Sequence, residues 1–132
     1  MTTDAQPRVL LVEDEAMVAM FVESILEDMG VRVVGPARGV EDGLRLIEGD
    51  RIDAALVDLN LGGVEGLPVA DALAARSIPF AFVTGYGAAG LPARFADRPL
   101  LQKPFRAREV EGLVAGLLAP GRRSVSADAP PR

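Results

Sequence analysis

The sequence predicts an α/β fold: a (βα)5, doubly wound sheet of five parallel strands with helices on both faces. Short apolar runs that suit strands buried on both faces alternate, along the 132 residues, with longer stretches of helical period. Glycine and proline punctuate the junctions, and a strand-helix repeat of this kind gives a parallel sheet with right-handed crossovers. A third observation concerns the edge of that sheet. The apolar runs end on polar chemistry: Glu13-Asp14 after the first, Asp58 in the third, Thr84 in the fourth and Lys103 after the fifth.

Strand one is Arg8 to Val12, followed by the acidic turn Glu13-Asp14-Glu15. From Ala16 the period changes: Val18, Val22, Ile25 and Met29 fall on one helical stripe, widened by Met17 and Phe21, with Glu23, Glu27 and Asp28 opposite. Gly30 ends this helix as a left-handed cap. Val31 to Val34 reads as strand two, closed by Gly35-Pro36. Gly39 to Gly49 carries Val40, Leu44 and Ile47 at helical spacing, with Gly43 an internal cost of about 1 kcal/mol. The central run Ala55-Leu56-Val57-Asp58-Leu59-Asn60 is strand three, and Leu59 to Gly66 a glycine-rich, mobile loop.

Pro68 suits the first turn of a third helix running to about Arg76, with Val69 and Leu73 inward. Ile78 to Thr84 is strand four, with Pro79 confined to its start. Gly85 to Ala96 contains Gly85, Gly87, Gly90 and Pro92, so a fourth helix there is expected to be short and weak. Pro99 to Gln102 is strand five, meeting Lys103-Pro104, and a last amphipathic helix from about Arg106 to Leu118 turns Val110, Leu113, Val114 and Leu117 inward. Residues 1–7 and the tail Ala119 to Arg132, the latter rich in Pro, Ser, Ala and Arg, are expected to be disordered, leaving 8–118 as one folded domain.

Composition excludes several chemistries. With no Cys and no His there is no thiol nucleophile, no Cys/His zinc site and no Ser-His-Asp triad. A net charge of -5 argues against general nucleic-acid binding, which needs a basic face. Met1 to Arg8 has no apolar core of signal-peptide length and no later run approaches a membrane span, so the expectation is a cytoplasmic protein, monomeric or weakly dimeric.

A strand order 2-1-3-4-5 makes strands one and three neighbours at the reversal point, where their outgoing loops open a crevice. Glu13, Asp14 and Asp58 would line it. Carboxylate pairs about 4 Å apart repel by roughly 4 kcal/mol at an effective dielectric near 20, so such a cluster implies a compensating cation. Oxygen ligands without His or Cys suit Mg2+ or Mn2+. Thr84 offers a hydroxyl and Lys103 an ammonium, which together with the metal could bind a phosphoryl group carried on Asp58.

Val12-Glu13-Asp14-Glu15, Val57-Asp58-Leu59-Asn60, Thr84-Gly85 and Lys103-Pro104-Phe105, in that order and spacing, resemble the receiver domain of two-component response regulators over roughly Arg8 to Leu118. The resemblance implies a flavodoxin-like sheet of order 2-1-3-4-5 and a phosphoacceptor whose activity is at most self-phosphotransfer and autodephosphorylation. It implies that Asp58 accepts phosphate from a sensor histidine kinase's phosphohistidine. Asp14 would ligate Mg2+ directly, Glu13 mainly through water, and Asn60 by its backbone carbonyl. Thr84 and Lys103 would contact the phosphoryl group, with Lys103-Pro104 a cis peptide. Gly85 would keep the entrance open, and Asn60 and Tyr86 would tune hydrolysis.

One departure concerns the position two residues before the lysine, where receivers usually carry Tyr or Phe and this chain has Leu101. Phe80-Ala81-Phe82-Val83-Thr84-Gly85-Tyr86-Gly87 instead resembles a receiver subclass with a Phe-Ala-Thr-Gly-(Gly/Tyr)-Tyr type motif, Val83 replacing its Ala. Members are often single-domain and paired with kinases of the HWE or related type. Tyr86, the only tyrosine, is then the candidate mobile aromatic. The leading expectation is a stand-alone receiver that signals through contacts with a downstream protein or phosphotransferase. Two alternatives are a phosphorylation-independent interaction module and a phosphatase using Asp58 as nucleophile.

Overall fold

The computed structural model describes residues 6–62, 64–85 and 91–119. Five parallel strands, β1 (Arg8–Val12), β2 (Arg32–Ala37), β3 (Ala54–Asp58), β4 (Phe80–Thr84) and β5 (Leu100–Gln102), form one sheet in the order β2-β1-β3-β4-β5. Helices α1 (Ala16–Asp28), α2 (Val40–Gly49), α3 (Leu67–Ala75) and α4 (Ala107–Leu118) connect or follow them. The five-stranded doubly wound sheet and its strand order are as expected.

Successive side chains of a strand point to opposite faces, so each strand feeds two cores. Leu10, Val12, Ala55, Val57, Phe80 and Phe82 pack against Ile47 of α2 and Val69, Ala70 and Leu73 of α3. Val9, Leu11, Leu56, Ala81, Val83 and Leu101 pack against Ala19, Val22, Ile25 and Leu26 of α1 and Val110, Val114 and Leu117 of α4. Phe80, Phe82 and Phe95 meet edge to face at 5.4 to 5.7 Å between ring centroids, each pair adding about 1 kcal/mol to its burial. With both faces covered, polar chemistry is left to the sheet's ends.

Three expectations are corrected. β2 does not stop at Gly35-Pro36 but runs on to Ala37, Val12 pairing with Ala37 after a register shift. A proline is tolerated there because β2 lies at the sheet edge. Leu59 to Gly66 is not a plain loop: Asn60–Leu61 pairs antiparallel with Val64–Glu65, and Leu59 and Leu61 are buried. Met17 and Phe21 do not widen the buried stripe of α1, being 81% and 44% exposed. Between β4 and β5, where any helix was expected to be short and weak, the described residues hold a short 3-10 turn, Ala93–Phe95, and residues 86–90 lie outside them.

Other boundaries move by a residue or two. Gly30 takes the left-handed conformation expected of it, with φ 82°. α4 opens on a cap in which the Glu109 carboxylate accepts the Arg106 amide at 2.7 Å, while the Glu109 amide donates to the Arg106 carbonyl at 3.0 Å. Residues 1–5 and 120–132 lie outside the described residues, as does most of the expected disorder.

Candidate functional site

β1 and β3 are neighbours at the point where the winding reverses, so their carboxyl ends share a crevice. Their pairing runs from Val9↔Ala54 to Val12↔Val57, which sets Glu13 level with Asp58. Both acids are 2% exposed, while Asp14 is half-buried. One carboxylate oxygen of each of Glu13, Asp14 and Asp58 lies within 4.8 Å of the others. The strand register alone therefore assembles the acidic trio.

Backbone amides hold two of these carboxylates from behind. The Asn60 amide donates to Asp58 Oδ1 at 2.9 Å, and the Glu15 amide donates to Glu13 Oε2 at 3.1 Å. Thr84, at the end of β4, is buried, and its carbonyl accepts the Lys103 amide at 2.7 Å. That bond brings the end of β5 beside the acids. Lys103 Nζ then donates to Glu15 Oε1 at 2.8 Å, Asp58 Oδ2 at 3.0 Å and Glu13 Oε2 at 3.4 Å.

Burial pushes the Glu13 carboxyl up to about 7. The Asp58 charge adds to that rise, while the Glu15 amide and the Lys103 ammonium oppose it. Burial acts to lower the Lys103 ammonium, but hydrogen bonds to Glu15 and Asp58 and the charges of Asp58 and Glu13 outweigh it, so its pKa is raised. Lys103 is firmly a cation. One ammonium among four carboxylates leaves the cluster short of positive charge, and a donor set of carboxylate oxygens fits a hard divalent cation.

Above the cluster opens a cleft of about 380 Å³, lined by Asp14, Glu15, Asp58, Asn60, Gly62, Gly85 and Lys103. Gly85 is exposed, and a Cβ built on it would meet nothing within 4 Å. The Lys103-Pro104 peptide is cis, as expected. Glu13, Asp14, Asp58, Asn60, Thr84, Gly85, Lys103 and Pro104 thus gather at one end of the sheet, while Tyr86 lies outside the described residues. Leu101 is buried among the α4 contacts, a core position.

Sequence reasoning missed two features. Glu15 enters the cluster through Lys103, a partner 88 positions away, and its only signal was membership of an acidic triplet. Beside the cleft, an apolar groove of about 450 Å³ runs between Met17, Val18, Phe21, Lys103, Pro104 and Phe105, with Phe21 and Phe105 stacked at 6.1 Å. The helical stripe of α1 announced the side chains but not their exposure.

A family model described as the response regulator receiver domain matches residues 9–114. Among solved structures, SdrG from Sphingomonas melonis Fr1 is 45% identical with a TM-score of 0.77, the match covering 90% of this chain and 100% of that one. The receiver domain of sensor histidine kinase PA1611 from Pseudomonas aeruginosa PAO1, crystallised with a magnesium ion coordinated in its active site cleft, is 26% identical, with a TM-score of 0.75 and coverage of 86% and 98%. The phyllosphere-induced regulator PhyR of Methylorubrum extorquens is 32% identical over 89% of this chain and 46% of its own length. The chain spans about half the length of such curated relatives.

Proposed function

Because this chain belongs to the response regulator receiver domain family, matching its model over residues 9–114, we propose that it is a stand-alone receiver phosphorylated on Asp58 by a sensor histidine kinase. The observation that carries this reading is the juxtaposition of the Asp58 carboxylate with Lys103 Nζ, 3.0 Å away, inside the Glu13, Asp14 and Asp58 cluster. An Asp58 oxygen forms a bond to phosphorus, and the bond from phosphorus to the donor's imidazole nitrogen breaks, its electron pair leaving with the imidazole. No step needs a His or Cys on this chain.

Asp14 and Asp58 would hold Mg2+, or Mn2+, by their carboxylates, with Glu13 acting through water and Asn60 offering its carbonyl. When bound there, the cation neutralises charge that builds on the transferring oxygens. Lys103 pairs with the phosphoryl group and Thr84 donates its hydroxyl to it. Gly85 leaves the approach free of a side chain, and Asn60 and Tyr86 influence how fast water removes the phosphate. The fold keeps Asp58 dry on its protein side, since the residue is 2% exposed.

The donor docks on the apolar groove beside Lys103, where Met17 and Phe21 are 81% and 44% exposed. Its kinase is of the HWE or related type, and the signal passes on through contacts with a downstream protein or phosphotransferase. Among the described residues no helix is long and apolar enough to cross a membrane. We propose a cytoplasmic protein whose folded domain is 8–118.

The test is labelling by acetyl phosphate and by a phosphorylated kinase. Asp58→Asn is expected to abolish labelling from both donors, with Mg2+ required for the wild type. Undiminished labelling of the variant would reject the reading.

A further inference from the structure

Glu15 has no part in the phosphotransfer just described, yet the fold commits its side chain to the site. It stands at the N-cap of α1, where an acid ordinarily accepts a helix amide, and it makes no such bond. Its Oε1 instead takes Lys103 Nζ at 2.8 Å, the shortest of that ammonium's three contacts. The Glu15 side chain is 59% exposed, against 3% for that of Asp58, so the pair sits at the mouth of the cleft.

We infer that Glu15 is a positioning residue that draws the Lys103 ammonium toward the cleft mouth and thereby restrains phosphorylation of Asp58. The inference rests on the receiver reading and concerns the regulation of the same site. Two effects act in one direction. In transfer from acetyl phosphate, the bond between phosphorus and the acetyl oxygen breaks, acetate leaves with the electron pair, and Asp58 gains a group with two negative charges. That group needs Lys103, which must give up or share Glu15, and the Glu15 charge repels the incoming oxygens. Removing the carboxylate does not set Lys103 adrift, because Asp58 and Glu13 still hold it.

The test compares initial rates of labelling by acetyl phosphate with Mg2+ for the wild-type chain, Glu15→Gln and Glu48→Gln, at low and high ionic strength. Glu48 is an exposed acid on α2, remote from the cleft, and its substitution makes the same change in net charge. Glu15→Gln is expected to label about two- to fivefold faster at low salt, the range for one partly exposed ion pair, with the advantage shrinking at high salt. Glu48→Gln is expected to match the wild type, and melting curves of both variants to show an intact fold. A Glu15→Gln rate no higher than that of a labelled wild type overturns this inference alone, as does an equal gain in Glu48→Gln. A wild type that takes no label overturns the receiver reading and the inference with it.

Discussion

Glu13 is the residue whose chemistry the fold changes most. Buried beside Asp58, its carboxyl titrates near 7 instead of the ordinary 4.5, so the metal-free fold favours the protonated form. The folded value lies above the unfolded one. The resulting stability is therefore fully present below about pH 4.5 and is lost as pH rises through about 7. Melting of the chelator-treated protein is expected to fall by several degrees between pH 5.5 and 8, on the order of 2 kcal/mol. Glu13→Gln, which keeps the shape without the charge, should flatten that profile and leave the variant the more stable of the two at pH 8. Parallel profiles for wild type and variant would show that the destabilisation at high pH has another source.

At the scale of elements, the site depends on how tightly the segment after β3 folds back. Gly66 opens α3, and its amide donates to the Leu59 carbonyl at 2.8 Å. A Cβ at Gly66 would overlap the Asp58 carbonyl oxygen and press on Val57 Cγ1 at 3.2 Å. Gly66→Ala is expected to cost about 2 kcal/mol in chemical denaturation and to slow acetyl phosphate labelling, since the atom it displaces belongs to Asp58. Normal stability with normal labelling would mean that the turn relaxes freely. Nothing in the sequence distinguished Gly66 from the other loop glycines, because its constraint is a close approach to a neighbouring backbone. The strands, by contrast, were legible wherever apolar residues at every position served two buried faces, as in Ala54 to Val57. β2 was cut short because Gly35-Pro36 reads locally as a stop, whereas pairing with β1 continues across it. Glu13, Asp14, Asp58 and Lys103 were legible as strand-end residues once a strand order was assumed. Glu15 was not, since its bond to Lys103 exists only after β5 is laid down beside β4.

For the whole molecule, the same closure that makes the core complete makes the site a liability. Helices cover both faces of the sheet, so its polar groups collect at the ends of β1, β3, β4 and β5, and a chain of net charge -5 gathers Glu13, Asp14, Glu15 and Asp58 there, three of them paired with Lys103. A cation bound by the folded chain and not by the unfolded one adds about 2.7 kcal/mol when present at a hundred times its dissociation constant. Saturating MgCl2 is accordingly expected to raise the melting temperature by several degrees beyond NaCl of equal ionic strength, the control being needed because screening alone relieves self-repulsion. Asp14→Asn should melt no lower than the metal-free wild type, since a repelling charge is gone from a half-buried position, yet it should lose the Mg2+ response. A response in Asp14→Asn as large as in the wild type would place the cation elsewhere on this acidic surface. An equal rise with NaCl would mean that the trio holds no divalent ion at all.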